Sequence, residues 1–371
     1  MVYLDHAATT PVRPEALSAM LPYFDAQFAN ASSLYAAGRE ARLAIDRARS
    51  EVAEAIGAKP GEIIFTSGGS EADNGAILGV ARACPEKKHI ITTRIEHHAV
   101  LRTCQALERR GYAVTYLDVD TLGRVSPQDG AHTLRADTLL VSVMLANNEI
   151  GTIEPIEEIA RIAHERGVPV HSDAVQAVGH VPVDVSQLGI DLLSMSAHKF
   201  SGPKGVGALY VRAGLRMDPL VFGGAQERGM RAGTENTPGI VGMGCALRLA
   251  SAGLEENARH VSQLRDALER ELGGMPGVHV NGDRENRLPG HLHLTIDDAD
   301  TSLLLMRLDM AGIAASSGSA CTSGATMRSH VIQALGTARD HQADIRFSLG
   351  ASNTQADIDA AAAAMHRILK R

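Results

Sequence analysis

The stretch Ile63-Ile64-Phe65-Thr66-Ser67-Gly68-Gly69-Ser70-Glu71 decides how this chain is read. A short β-rich run ends in a glycine turn, and a helical pattern starts at Glu71. Strand, glycine turn and helix in succession are the punctuation of a βαβ unit. Working outward, the alternation repeats. Before it, Ile45, Ala48, Val52 and Ile56 recur at helical spacing between Ala36 and Gly57. After it come strand candidates at His89 to Thr93, Val114 to Leu117, Thr138 to Met144, Val168 to His171, Leu192 to Ser196 and Gly207 to Val211. Helical patterns separate several of them, notably His97 to Arg109 and Ile156 to Arg166. The pattern predicts an α/β fold with a largely parallel sheet covered by helices on both faces.

Beyond about Thr237 the pattern changes. One long helical stretch is expected up to about Leu272. A smaller α+β segment follows, with strands at His291 to Ile296, Ile313 to Ser316 and Asp344 to Leu349, and helices at Thr301 to Ala311, His330 to Leu335 and Thr354 to Lys370. Thr354 with Asp357 resembles a capping box. The expected division is a large domain over residues 13–255 and a smaller one built from residues 1–12 and 256–371.

Composition removes several function classes. A net charge of -7 disfavours nucleic acid or an anionic membrane as the main partner. Aromatic residues make up 3% and Trp is absent, so a base-stacking platform is not expected. No stretch approaches the ~20 apolar residues of a membrane span. The four cysteines, Cys84, Cys104, Cys245 and Cys321, form no C-x-x-C pair and no metal-like cluster, so no metal is expected. With no secretory pattern at Met1 to Thr10, a reducing, cytoplasmic setting is expected. No convincing G-x-G-x-x-G follows the first strand, which argues against a dinucleotide enzyme.

Six lysines occur, and Lys199 stands apart. It follows the apolar run Leu192 to Ser196 and precedes Ser201-Gly202-Pro203-Lys204-Gly205. A lysine at a strand end, beside His198 and a glycine-rich turn, suits a Schiff base to a carbonyl cofactor. A surface-loop lysine is the other reading. Asp173, after a buried-looking strand, is placed either to hold a pyridine nitrogen protonated or to cap a helix. Gly68-Gly69-Ser70 before a helix offers N–H groups and a hydroxyl to a phosphate. Each feature alone is common, but three of them at strand ends in one chain are far more specific.

These residues resemble the motifs of the cysteine desulfurases, fold-type I pyridoxal-phosphate enzymes of the class V aminotransferase family, aspartate aminotransferase-like in fold. Ser196-Ala197-His198-Lys199 with Gly202-Pro203-Lys204-Gly205 is similar to the family's lysine motif. Leu4-Asp5-His6-Ala7-Ala8-Thr9-Thr10-Pro11, Glu96-His97-His98, Asn147-Asn148-Glu149-Ile150-Gly151, Asp173-Ala174-Val175-Gln176 and Arg228-Gly229-Met230-Arg231-Ala232-Gly233-Thr234 resemble further family segments. Ser316-Ser317-Gly318-Ser319-Ala320-Cys321-Thr322-Ser323-Gly324 resembles the cysteine segment of the IscS and NifS branch. The likeness runs through essentially the whole chain, in order.

The resemblance implies pyridoxal 5'-phosphate as cofactor and L-cysteine as substrate. It implies that Lys199 forms the Schiff base, that His97 stacks on the ring and moves protons, and that Asp173 pairs with the ring nitrogen. Gln176 would bond the ring hydroxyl, and Gly69, Ser70, Ser196 and His198 the phosphate. Thr234 would reach the phosphate of a partner subunit, hence a homodimer. Asn148 and Arg346 would hold the substrate carboxylate, with Asn148 also beside the cofactor and Asn30 assisting. Cys321 would take the sulfur as a persulfide, leaving L-alanine, and pass it to an iron–sulfur scaffold or a tRNA-thiolation protein. Selenocysteine lysis, sulfinate desulfination, transamination or another reaction of the same cofactor and fold is the alternative. The chain departs from the family pattern at Ala325 to His330, which lacks the usual Pro, at Ser33 to Gly38, which lacks a His-Arg, and at Gly350-Ala351-Ser352-Asn353, where Gly-Arg with an aromatic is usual.

Overall fold

The computed structural model describes residues 1–318, 328–338 and 340–369, so Cys321 lies outside the described residues. In chain order the strands are β1 (Val2–Tyr3), β2 (Ile63–Thr66), β3 (His89–Thr93), β4 (Ala113–Leu117), β5 (Thr138–Ser142), β6 (Val170–Asp173), β7 (Leu192–Ser196), β8 (Gly207–Val211), β9 (Val278–Asn281), β10 (His291–Asp297), β11 (Ile313–Ala314) and β12 (Gln342–Ser348). The α-helices are α1 (Pro14–Met20), α2 (Ala36–Ala55), α3 (Gly69–Ala83), α4 (His98–Glu108), α5 (Pro127–Thr133), α6 (Ile156–His164), α7 (Thr237–Ala252), α8 (Leu254–Gly273), α9 (Thr301–Met310), α10 (His330–Ala334) and α11 (Gln355–Leu369).

The main sheet runs β2-β8-β7-β6-β5-β3-β4. β8 is antiparallel to both neighbours, and the other pairings are parallel. Strands covered on both faces need apolar side chains without alternation, and β2, β3, β5 and β7 are buried at every position. Successive side chains still point to opposite faces. Ile91, Val141 and Leu193 join a core with Ile45 of α2, Ile159 of α6 and Met243 of α7. Their neighbours Ile90, Leu140 and Leu192 join a second core with Ile77 of α3 and Val100 of α4. This explains why the strands read as continuous runs in the sequence and why helices flank both sides.

The C-terminal part has its own core around the antiparallel sheet β12-β10-β9. Leu264 and Leu268 of α8, Leu294, Phe347 and Ile358 of α11 meet there, joined by Leu4 from the chain's start. β1 pairs in parallel with β11, and Asp5 bridges Ser348. The N-terminal strand thus packs on this second core.

Several local expectations shift. The single long helix is two, because Gly253, a weak helix former, ends α7 by donating to the Leu249 carbonyl (3.2 Å) and starts α8 by accepting from Asn257 N–H (2.9 Å). Asp173 is the last residue of β6 rather than lying beyond it. β9, α1 and α5 were not expected. The capping box at α11 forms, with Thr354 N–H donating to Asp357 Oδ2 (2.9 Å) and Asp357 N–H to Thr354 Oγ1 (3.4 Å). Among the described residues no helix is long and apolar enough to cross a membrane.

A buried ion pair locks the turn that precedes the Arg231 to Thr234 segment. Arg49 of α2 donates to both oxygens of Glu227 at 2.7 Å and to the Ile63 carbonyl at 2.9 Å, and its guanidinium lies 4.7 Å from the centre of the Phe65 ring. Glu227 also accepts from Phe65 N–H (2.9 Å). Glu227 and Arg228 sit in the left-handed region (φ 47° and 59°), a conformation that persists only where surrounding bonds enforce it.

Glu154 offers a test of the core's electrostatics. It is 4% exposed, with one oxygen accepting from Val125 N–H (2.9 Å), and burial pushes its pKa up to about 8. The fold therefore keeps a proton that the unfolded chain releases near the ordinary value of 4.5. The resulting stability is complete below that value and is lost as pH rises towards 8. Glu154→Gln, neutral throughout, should match the parent's Tm near about pH 5 and exceed it increasingly up to about pH 9. A Tm difference that does not change with pH would refute this.

Candidate active site

A cavity of about 200 Å³ opens at the C-terminal ends of the parallel strands and is lined by Ala7, Ala8, Gly69, Ser70, Asp73, His97, Met144, Asn148, Asp173, Val175, Gln176, Ser196, His198, Lys199 and Arg346. This is where binding crevices form in open α/β sheets. A larger cavity of about 580 Å³ lies beside Ala7 and Gln176. Its lining lacks Lys199, Asp173 and His97, so the chemistry belongs to the smaller one.

The lysine arrives from β7. That strand ends at Ser196, and a single 3-10 turn, Ala197–Lys199, swings Lys199 to the cavity. Its ammonium donates to the carbonyls of Ala7 (2.5 Å) and Ala8 (3.0 Å). The N-terminal segment clasps the same turn. Thr10 Oγ1 donates to the His198 carbonyl (2.8 Å), His198 Nδ1 meets Thr9 Oγ1 (3.1 Å), and Gln176 Nε2 donates to the Ala7 carbonyl (3.0 Å).

Asp173 closes β6, and its Oδ1 accepts from Val175 N–H at 2.9 Å. Burial raises its pKa, while His97, that N–H and Lys199 pull it back down. His97 is the N-cap of α4, its Nδ1 accepting from Ala99 N–H (3.1 Å). That bond leaves Nε2 to carry the proton of the neutral ring. Burial lowers the His97 pKa against the pull of Asp173, with Lys199 adding to the fall.

The floor of the cavity continues into a second one of about 470 Å³, lined among others by Ser67, Gly68, Gly69, Ser70, Ser196, His198 and Lys204. Here α3 begins at Gly69, directing unpaired N–H groups outward, a ready anion site. Gly68, at φ 152°, makes the strand-to-helix turn. At Gly69 an added Cβ would lie 2.6 Å from Val175 Cγ2.

Arg346 crosses from β12. It is 1% exposed, donating from Nη1 to the Asn148 carbonyl and from Nη2 to Asp5 Oδ1, both at 2.8 Å. Its Nε has no partner among the described residues.

The structure thus brings together Gly69, Ser70, His97, Asn148, Asp173, Gln176, Ser196, His198, Lys199 and Arg346. Two expected residues lie elsewhere. Asn30 is exposed, outside the cavity lining, and its Oδ1 accepts from Ser32 N–H (2.8 Å) in a local turn, so its position gives no support to a role on the substrate carboxylate. Thr234 is exposed and also outside this chain's own cavity. Sequence reasoning missed Asp73, which is 1% exposed on α3. The signal was there, since Asp73 falls on the apolar face formed by Ala72, Ala76, Ile77 and Val80.

Comparison with known proteins accords with this geometry. Residues 2–361 match the aminotransferase class-V family. "Cysteine desulfurase IscS" of Methanosarcina thermophila is 52% identical over 96% of this chain and 89% of its own length. Its namesake from Dictyoglomus turgidum is 49% identical over 100% of this chain and 95% of its own. A solved "NifS-like protein" superposes with a TM-score of 0.94 at 39% identity, covering 99% of both chains. The apo structure of the cysteine desulfurase from Thermococcus onnurineus NA1 gives 0.90 at 26% identity, covering 100% of this chain and 94% of that one. The chain belongs to the class-V aminotransferase family, fold-type I enzymes that work with pyridoxal 5'-phosphate. Its activity is that of a cysteine desulfurase, converting L-cysteine to L-alanine with transfer of the sulfur.

The residues present fit that cofactor. A helix N-terminus with two serines and a histidine suits a phosphate, a buried carboxylate suits a ring nitrogen, and Gly69 lets α3 start tight against Val175, which a Cβ would push out of place in the cavity wall. Gly69→Ala should therefore weaken cofactor retention by roughly tenfold or more, in line with the ~1–3 kcal/mol of overpacking. Titration of the apo variant with pyridoxal phosphate, followed by absorbance, reads this. An unchanged Kd would contradict the fit.

Proposed function

We propose that Lys199 carries the cofactor and Cys321 the sulfur, in a homodimeric enzyme that hands its persulfide to an acceptor protein. One observation supports this above all: Lys199, Asp173, His97 and Arg346 converge on a single cavity of about 200 Å³. Pyridoxal phosphate, when bound, supplies the electron sink for bond breaking at the substrate's carbons. Ser70, Ser196, His198 and the first N–H groups of α3 would hold its phosphate. Asp173 would pair with its ring nitrogen, Gln176 with its ring hydroxyl, and His97 would stack on its ring.

The chain's own groups then act in sequence. The planar guanidinium of Arg346 receives the cysteine carboxylate, a match that a lysine would not provide, with Asn148 beside it. The Lys199 amine would remove the proton from Cα of the bound cysteine. His97 stays neutral near pH 7 because burial lowers its pKa, and with Nδ1 held by Ala99 N–H it presents Nε2–H to the cavity as a hydrogen-bond donor. The Cys321 thiolate attacks the substrate Sγ. An S–S bond forms, the Cβ–S bond breaks, and its electron pair remains with the substrate, which takes up protons and leaves as L-alanine. Cys321 is left as a persulfide. Cys104 and Cys245 are unsuited to this step, since both are buried in helices and burial pushes their thiols up, that of Cys104 to about 12.

Dimerisation has support at the surface. Leu21, Phe24, Phe28, Leu34 and Tyr35 are large apolar side chains left 57% to 91% exposed within one segment, more than a lone soluble chain ordinarily presents. Exposed Thr234 would serve the second copy's phosphate site. The acceptor is an iron–sulfur scaffold or a tRNA-thiolation protein, and the compartment is the cytoplasm.

The test is release of alanine and sulfide from L-cysteine with a reductant present. Equal release of both, reduced at least about tenfold in Cys321→Ser and abolished in Lys199→Ala, is the expected result. Full activity in Cys321→Ser would point instead to lysis on the same cofactor, with selenocysteine or cysteine sulfinate as substrate.

A further inference from the structure

Behind the proposed ring-nitrogen carboxylate lies a second carboxyl group that the reaction scheme does not use. Asp73 is on the buried face of α3, lines the cavity, and is 1% exposed. One oxygen or nitrogen from each of Asp73, His97 and Asp173 lies within 4.8 Å of the others. Asp73 Oδ1 has no hydrogen-bond partner among the described residues.

The surroundings decide which of the two carboxyl groups can be charged. Asp173 has a backbone donor at Val175 and is favoured as an anion by His97 and Lys199. Among the described residues no Lys or Arg pairs with Asp73. The nearest base is His171 of β6, with Nε2 3.6 Å from Asp73 Oδ1. Both ring nitrogens of His171 are engaged by serine hydroxyls, Nδ1 with Ser142 (2.8 Å) and Nε2 with Ser194 (3.0 Å), and burial pushes its pKa down to about 3. His171 is therefore a neutral wall. Glu96, ahead of α4, is fully buried, and burial holds its own carboxyl well above the usual carboxylate range, so it offers Asp73 no counter-charge, whereas a hydrogen bond with Ser194 of β7 pulls Asp73 the other way. Burial first, then Asp173, hold the Asp73 carboxyl well above the usual carboxylate range. Two carboxylates this close in a dry pocket cannot both ionise, and unequal environments set which one does.

We propose that Asp73 is a positioning residue: an uncharged carboxylic acid that shares the pocket with Asp173 and keeps Asp173 the single anion facing the cofactor ring. The pair then holds one proton and one charge. A second ionised carboxylate would over-stabilise positive charge on the ring and on Lys199. An apolar side chain would leave Asp173 without a polar, neutral neighbour at its back. The inference rests on the reading that Asp173 faces the ring nitrogen.

Isotope-edited infrared spectroscopy of aspartate-labelled protein tests the protonation directly. Apo and cofactor-loaded protein near pH 7 should both show a protonated carboxyl band that disappears in Asp73→Asn. No such band, or one that survives in Asp73→Asn, overturns the proposal. The second readout is the pH midpoint of the cofactor's absorbance change. Asp73→Asn, isosteric and neutral, should keep that midpoint, whereas Asp73→Ala should move it by about one pH unit. A shift of that size in Asp73→Asn would mean that Asp73 is charged, and the proposal would fail even if Asp73→Ala could not be folded. Failure of the reading beneath it looks different: the midpoint would then be unmoved in Asp173→Asn, whatever Asp73 does.

Discussion

Arg346 is the constraint on which the site depends. It is fully inside the protein, and a buried guanidinium is tolerated only where its hydrogen bonds are answered. Its two Nη groups donate to the Asp5 carboxylate of the N-terminal segment and the Asn148 carbonyl of the loop beyond β5, and Nε alone has no partner among the described residues. One cation thus ties the strand β12, the chain's first residues and the parallel sheet to one another. Those first residues in turn present the Ala7 and Ala8 carbonyls to Lys199. Breaking such a pair by removing one partner costs about 3–5 kcal/mol. The cation that would bind a substrate carboxylate is therefore also the one that assembles the cavity wall.

The pocket's electrostatics follow from how few charges are answered there. Lys199 faces carbonyl oxygens, and Asp173 has one backbone donor and two basic neighbours. His97 is kept neutral by burial and oriented by its capping bond. These groups would suit a pyridinium ring, with the Asp173 carboxyl for its nitrogen, the Lys199 amine and the His97 imidazole on one cavity wall. Such unequal pKa shifts in one cleft are the physical mark of a reactive site.

Much of this was legible in the chain, and for a definite reason. Lys199, Asp173 and Gly68-Gly69 each terminate a run of β-favouring residues, so their place at strand ends followed from the position of the runs. Other features escaped because they depend on contacts between distant segments. Asp73 sits inside a helix whose pattern reads as an ordinary apolar face, and only packing against β6 reveals its neighbours. β9 has four residues, two of them polar, and becomes a strand by pairing with β10. Gly253 breaks a helix that periodicity alone continues. The roles expected of Asn30 and Thr234 involve surfaces that one chain does not complete, and the cysteine segment at Cys321 lies outside the described residues.

The central claim is that the cofactor is held at Lys199 and nowhere else. Borohydride reduction of the cofactor-loaded enzyme, followed by proteolysis and mass analysis, fixes the attachment point covalently. The account predicts a single modified peptide, carrying pyridoxyl phosphate on Lys199. Labelling at Lys204, the lysine that borders the phosphate-side cavity, or an unmodified Lys199, would contradict it.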